Sequence, residues 1–212
     1  MDHIFSPEEL QTFASYEKIA VERAKRRSDS QWWQNKFDYF KALVPAGHII
    51  DIGCGNGKDA PLFSSSSDYQ YVGVDISPAM LALTKEHAPQ SIFMRMNIYC
   101  LAFKPACFDG FWATASLLHI PKYNISCALQ EIRRIMKQRA VGFIALREGH
   151  TEEMVTTDMC GDNRFYAFYH QHEFRCLLED NGYEVVRMGR DWREYDPHNP
   201  HSMWLFYFVR VL

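Results

Sequence analysis

The run Asp51-Ile52-Gly53-Cys54-Gly55-Asn56-Gly57-Lys58 follows the apolar pair Ile49-Ile50, and three of its residues are glycines at alternate positions. A buried strand that ends in an acid and then a glycine-rich turn lets backbone N–H and C=O groups approach a nucleotide-like ligand, because no Cβ intervenes. The spacing narrows the ligand. A dinucleotide loop would read G-x-G-x-x-G and a phosphate loop would end in G-K-[ST], whereas Asp59 follows Lys58 here. A carboxylate at the head of the loop also suits an ammonium group better than a pyrophosphate. A second apolar run, Tyr71-Val72-Gly73-Val74, ends in Asp75, after which Ser77 and Pro78 supply an N-cap and a first helical residue. A carboxylate at this distance beyond a glycine loop suits ribose hydroxyls.

Asp51 to Gly57 resembles motif I of the class I S-adenosylmethionine-dependent methyltransferases, acid-x-Gly-x-Gly-x-Gly, and Tyr71 to Leu81 resembles their motif II. The resemblance implies that Asp51, Gly53, Cys54, Gly55 and Gly57 surround the cofactor. It also implies that Asp75 binds both ribose hydroxyls, that Ile76 packs on adenine and that Met80 belongs to the same site. Met96-Asn97-Ile98 through Leu101-Ala102-Phe103 is similar to the family stretch Asp-Ala-x-x-Leu-Pro-Phe, which places Asn97 and Ile98 on the cofactor. Asn97 stands where Asp is usual, and its side-chain oxygen can still accept from an amino group. Thr114 to His119 resembles the loop beside the cofactor's methionine end, which adds Ala113 and Thr114. The implied cofactor is S-adenosyl-L-methionine, with S-adenosyl-L-homocysteine as product (EC 2.1.1.-), and the resemblance runs from about Tyr16 to Tyr183.

Few polar catalytic groups are needed for such chemistry, because a sulfonium already makes its methyl electrophilic and the protein has to align a nucleophile and exclude water. His119 is the candidate base, or an orienting group, with a hydrogen-bonded structural histidine as the alternative. Tyr16-Glu17-Lys18-Ile19-Ala20 resembles the Tyr-Asp-x-x-Ala element that folds over the cofactor in small-molecule members, although Arg23 stands where a second Tyr is common. Trp33, in the second helix, is a candidate for the acceptor pocket. So is Arg147 at the end of the fifth strand, where it would meet an acidic acceptor. Asn163 to Tyr169 resembles the family's Arg-Phe-Phe-x-x-Tyr segment, which makes Tyr166 and Tyr169 candidate walls. His170 and His172 beside Glu173 lack a further ligand cluster with zinc spacing, so no metal is expected.

These elements need a frame. At 212 residues and 47% hydrophobic, residues 1–212 suit one α/β domain, with about 7–44 as an N-terminal helical lid and about 48–212 as a cofactor-binding core. Apolar spacing predicts helices over 7 to about 27 and about 30 to 44, a helix over Asn124 to Lys137, strands over Phe108 to Ala113 and Val141 to Leu146, and a helix from Glu173 stopped by Asn181-Gly182. Tyr183 to Met188 and Met203 to Val211 are expected to form a terminal antiparallel hairpin. The family implies a Rossmann-like, seven-stranded, mostly parallel sheet with helices on both faces.

A formal charge of −3 gives no basic footprint, so a small-molecule acceptor is favoured over nucleic acid. Lys25-Arg26-Arg27 and Arg133-Arg134 keep a tRNA or RNA substrate as one alternative, and a non-catalytic cofactor-binding protein of the same fold is the other. Six cysteines without a C-x-x-C pair suit a reducing compartment. The start lacks a basic and apolar leader and no run reaches membrane-spanning length, so the expected location is cytoplasmic. Oligomeric state is left open.

Overall fold

The structure, a computed structural model, describes residues 5–25, 30–86, 88–156, 162–192 and 203–212. Helix α1 (Pro7–Lys25) is followed by a 3₁₀ turn (Ser30–Trp33) and α2 (Gln34–Leu43). Then come β1 (Gly47–Ile52), α3 (Ala60–Ser64), β2 (Tyr69–Asp75), α4 (Pro78–Leu81), β3 (Ile92–Arg95) and β4 (Phe108–Thr114). After a 3₁₀ turn (Leu117–His119) lie α5 (Ile125–Ile135), β5 (Met136–Arg147), β6 (Glu152–Thr156), β7 (Asn163–Ala167), α6 (Gln171–Asp180), β8 (Tyr183–Trp192) and β9 (Met203–Val211).

Seven strands form one sheet in the order β3-β2-β1-β4-β5-β9-β8, and β6 and β7 pair separately. The sheet is parallel up to β5, and β9 runs antiparallel to both β5 and β8. The chain leaves β1 toward β2 on one side and returns to β4 on the other. That reversal opens a crevice at the carboxyl ends of β1 and β4, where the glycine loop emerges.

Alternation along the strands separates the two apolar layers. On β4, Trp112 meets the rings of Phe40 and Phe63 at 5.6 Å and stacks against Phe143 of β5 at 4.2 Å. Phe111, on the opposite face, meets Tyr183 at 6.2 Å, and the Tyr183 hydroxyl donates to the Leu129 carbonyl of α5. Helix α5 buries Ile125, Ala128, Leu129, Ile132 and Ile135, the i, i+3, i+4, i+7 stripe of a helix laid on a sheet.

Three expectations need correction. The segment 7–44 does not act as one lid: α2 is a layer helix whose Phe37 and Phe40 are buried against Phe63 and Trp112, and α1 alone crosses the carboxyl edge. The stretch after β5 forms a further hairpin, β6–β7. Helix α5 stops at Ile135 rather than Lys137, and β5 begins at once with Met136, turning through Arg139 at φ 66°. The outer hairpin is also longer than expected, because β8 continues to Trp192 past an irregularity between Val185 and Arg187.

Packing at the centre leaves no slack. A Cβ built on Gly142 of β5 would lie 2.0 Å from the Phe111 ring, so one methyl forces the aromatic off its rotamer. Gly142→Ala should lower unfolding free energy in urea by about 1–3 kcal/mol. A midpoint unchanged from that of the parent would contradict the packing described.

Candidate active site

The loop after β1 turns through three left-handed glycines, Gly53 at φ 71°, Gly55 at 55° and Gly57 at 77°. A side chain is disfavoured at such angles, and space is short as well. A Cβ on Gly53 would sit 2.4 Å from Ser116 Cβ, and one on Gly55 would sit 3.2 Å from the terminal methyl of Met80. The N–H groups of Gly53 and Cys54 both donate to the Val74 carbonyl, at 2.8 and 3.0 Å, which ties the loop to β2. The Cys54 side chain is buried, and burial pushes its thiol well above the ordinary range.

Asp75, at the end of β2, is oriented by two backbone donors: Gly55 N–H at 2.8 Å to one oxygen and Ser77 N–H at 2.8 Å to the other. A carboxylate offers about four acceptor positions. Two bonds therefore fix its plane without exhausting it. Burial raises its pKa, and these N–H bonds oppose the shift.

Asp51 is buried at the end of β1 and accepts from the Tyr71 hydroxyl at 2.7 Å. Burial, and after it the charge of Asp59, holds its carboxyl well above the usual carboxylate range, with the Tyr71 bond opposing. Asp59, absent from the sequence-derived site, is equally buried. One of its oxygens accepts from Trp112 Nε1 at 3.2 Å and Thr114 Oγ1 at 2.6 Å, and the other has no hydrogen-bond partner among the described residues.

The remaining sequence-derived residues border this loop in different ways. Met80 lies beneath Gly55. The Asn97 side-chain oxygen accepts from Tyr99 N–H at 3.0 Å, Ile76 and Ile98 are half-buried, Ala113 is fully buried, and the Thr114 hydroxyl is committed to Asp59. Left-handed glycines, an oriented carboxylate and two desolvated acids make a cradle that fits a ligand carrying a ribose and an ammonium group.

On the acceptor side, one face of α1 is tied across the carboxyl edge. Glu9 accepts from the Tyr99 hydroxyl at 2.5 Å, and Thr12 Oγ1 accepts from Phe165 N–H at 2.9 Å. Glu17 accepts from Ser77 Oγ at 2.5 Å and Ala79 N–H at 3.1 Å, next to Asp75. Between them Tyr16 Oη meets His119 Nε2 at 2.8 Å, and His119 Nδ1 meets the Phe165 carbonyl at 2.6 Å. A carbonyl only accepts, so Nδ1 carries a proton, and in the neutral imidazole Nε2 then accepts from the phenol.

Arg164 Nη1 donates to Tyr16 Oη at 3.1 Å, and its Nε is paired with Asp162 at 2.9 Å, both side chains being nearly fully buried. The guanidinium lies over the rings of Tyr16 and Tyr166, at 5.3 and 5.7 Å, while Arg147 lies over Tyr166 and Trp204. Tyr16, His119, Arg147 and Tyr166 are thus brought together.

Trp33 and Tyr169 are not. Trp33 is a core residue, edge-on to Phe143 and Trp204, because the turn before α2 points it at the sheet. Tyr169 is fully buried against Phe174 of α6, with Lys122 Nζ 4.8 Å above its ring. Strand alternation puts it opposite Phe168 and away from the Tyr166 cluster. His170 sits at the start of α6, where its N–H donates to Glu173, and its ring contacts His150. Among the described residues no group of three or more His, Cys, Asp or Glu side chains converges as a metal site.

Residues 49–139 match the family model described as a methyltransferase domain. The chain is 32% identical over 162 residues to the O-methyltransferase rstn1 of Aspergillus nomiae, covering 68% of this chain and 67% of that one. It is 31% identical over 155 residues to the O-methyltransferase resE of Aspergillus sclerotiorum, covering 66% of this chain and 55% of that one. The chain therefore spans between about half and two thirds of the length of these relatives. Its fold superposes on the 1,6-didemethyltoxoflavin-N1-methyltransferase of Burkholderia thailandensis with a TM-score of 0.76 at 16% identity, covering 100% of this chain and 93% of that one. The chain belongs to the class I S-adenosylmethionine-dependent methyltransferase superfamily.

Asp51 gives this site a pH signature. Its folded pKa lies above the unfolded value near 3.8, so its favourable contribution is full below that value and is lost as pH rises through the folded pKa. Asn in its place keeps an acceptor for Tyr71 without the charge. Asp51→Asn should therefore be more stable than the parent at pH 8, by about 1–3 kcal/mol, with the gap narrowing toward pH 5. Chemical denaturation at the two pH values checks it, and an Asn variant less stable at pH 8 would contradict it.

Proposed function

We propose that this chain is a methyltransferase that binds S-adenosyl-L-methionine in the cradle after β1 and moves its methyl to a small-molecule acceptor by in-line displacement. The observation that carries the reading is convergence: the glycine loop with Asp75, and the group of Tyr16, His119, Arg147, Arg164 and Tyr166, share one carboxyl edge of the sheet. The names of the relatives, which are O-methyltransferases, support it. We read residues 1–212 as a single domain and the location as cytoplasmic. The free thiols of Cys54, Cys100, Cys107, Cys127 and Cys176 support the latter, and among the described residues no helix is long and apolar enough to cross a membrane.

Bound in the cradle, the cofactor supplies a methyl made electrophilic by its sulfonium. The chain's own residues do the rest. Asp75 holds the ribose hydroxyls, Ile76 and Ile98 flank the adenine, Asn97 accepts from its amino group, and Asp51 faces the ammonium. Backbone groups of Gly53, Cys54, Gly55 and Gly57 line the path between them, over Met80. Helix α1 closes the site against water, and Tyr166 and Arg147 border the acceptor and help to align it for in-line attack.

An RNA acceptor is the weaker reading. Arg133 donates to the Leu212 carbonyl, and Arg134 to Glu131 and the carbonyls of Leu101 and Phe103, so this basic pair is turned onto its own chain. Arg26 and Arg27 lie outside the described residues. Incubation with methyl-labelled cofactor and separate metabolite and tRNA pools tests the acceptor class: label in a small organic molecule is expected, and label confined to tRNA would overturn it.

The ribose assignment has its own measurement. Asp75→Ala should weaken S-adenosylhomocysteine binding by about 1.5–3 kcal/mol in calorimetry. Unchanged affinity in a folded variant would remove Asp75 from the cofactor.

A further inference from the structure

His119 cannot serve a reacting acceptor directly in the arrangement described. Its Nδ1 is held by the Phe165 carbonyl at 2.6 Å and its Nε2 by the Tyr16 hydroxyl at 2.8 Å, so both ring nitrogens are engaged by the protein. Any proton that reaches the imidazole must come through its phenol partner. That phenol has a second neighbour, the Arg164 guanidinium, which donates to Oη at 3.1 Å and lies over the ring at 5.3 Å. A cation bonded to a phenol oxygen favours the phenolate. Asp162, paired with Arg164 at 2.9 Å, keeps the guanidinium buried and pointed.

We propose that Tyr16, His119 and Arg164 form one proton-transfer unit in which Tyr16 is the acceptor-facing catalytic group, His119 is the terminal proton acceptor and Arg164 is a positioning residue. The proposal rests on the methyltransferase reading, with a methyl sulfonium as the methyl donor. As the acceptor's hydroxyl oxygen bonds to the methyl carbon, the C–S bond breaks and its electron pair stays on sulfur as a thioether. The acceptor's proton passes to Tyr16 Oη while the phenol's own proton passes to His119 Nε2. The products are a methyl ether, a neutral phenol and an imidazolium with both N–H groups already partnered, Nδ1 by the Phe165 carbonyl and Nε2 by Tyr16. This chemistry selects a hydroxyl acceptor, since an amine that loses its proton after attack does not need the unit.

The residues come from three places in the chain, which separates the unit from a chance contact within one element. Tyr16 is on α1, His119 on the turn after β4, and Arg164 on β7 with Asp162 just before it. Among the described residues, titratable or charged side chains beside the unit include Tyr166, edge-on to His119 at 4.9 Å, and Arg147, over the Tyr166 ring at 5.9 Å. Tyr16 and His119 are half-buried whereas Arg164 and Tyr166 are buried, and of the first two His119 has both ring nitrogens engaged by the protein.

The test does not depend on knowing the acceptor. Site-specific 3-fluorotyrosine at position 16 is followed by fluorine NMR against pH, and the His119 tautomer is read from nitrogen-15 correlations. The expected tautomer has Nδ1 protonated and Nε2 bare. Arg164→Gln should move the fluorophenol midpoint up by about one pH unit or more, Arg164→Lys should move it less, and Asp162→Asn should move it down. The Asp162 variant keeps the test decisive if Arg164→Gln does not fold. A protonated Nε2, or a midpoint indifferent to both the Arg164 and Asp162 changes, overturns the unit. Calorimetry with S-adenosylhomocysteine on the same proteins reads the methyltransferase proposal separately: absence of binding by the unaltered chain would defeat that reading whatever the NMR result.

Discussion

Three carboxylates crowded around a left-handed backbone turn set the terms for the rest of this molecule. Asp51 and Asp75 arrive at the ends of β1 and β2, parallel neighbours paired in register from Gly47↔Tyr69 to Ile52↔Val74, and Asp59 follows the loop between them. Each is desolvated or nearly so, and Asp59 raises the pKa of Asp51. Burying like charges this close costs free energy that Tyr71, Trp112, Thr114 and the loop's own N–H groups offset only in part. The arrangement persists because the sheet beneath it is rigid, with Phe63 edge-on to Trp112 and Trp112 laid against Phe143 under the acids. A cationic group in the loop would relieve the remaining repulsion, so a feature that costs the fold stability suits the ammonium-bearing ligand proposed for it.

The position of α1 follows from that crevice. Its contacts are polar and widely separated in sequence: Glu9 to Tyr99, Thr12 to Phe165, Tyr16 to His119 and Glu17 to Ser77. They recur at helical spacing on one face, so a single helix reaches Tyr99, the turn that carries His119, and the α4 N-terminus together. Polar ties of this kind hold a cover in register at less cost to reopening than a broad apolar interface. The β6–β7 hairpin serves α1 in turn, because it brings Phe165 and Arg164 up to meet Thr12 and Tyr16.

Legibility in the sequence tracked locality. The glycine loop was readable because left-handed turns demand glycine at particular places, and the strand-ending acids were readable because two apolar runs frame them. The sheet and terminal hairpin followed from strand-length apolar runs, and Tyr16 from a short element next to α1's apolar face. Trp33 and Tyr169 went to the core because an aromatic near a site looks the same in sequence whether it faces in or out. The β6–β7 hairpin has short strands with weak alternation, and its return segment is polar. Arg164, Asp59 and Glu17 matter through partners far along the chain, 148 residues away for Arg164 and Tyr16. No spacing rule could have paired them. Glu17 and Asp59 do sit inside or directly after the two motifs, the one local signal that was there to use.

The central claim is electrostatic: burial holds the Asp51 carboxyl above the usual carboxylate range, at the loop proposed to take an ammonium group. Calorimetry at pH 6 in buffers of different ionisation enthalpy, comparing S-adenosylhomocysteine with 5′-methylthioadenosine, which lacks the ammonium and carboxylate, measures it directly. A cation that lowers the Asp51 pKa must expel a proton on binding. The account predicts proton release with S-adenosylhomocysteine, little or none with 5′-methylthioadenosine, and weaker binding of the latter. Equal affinities without proton release would contradict it.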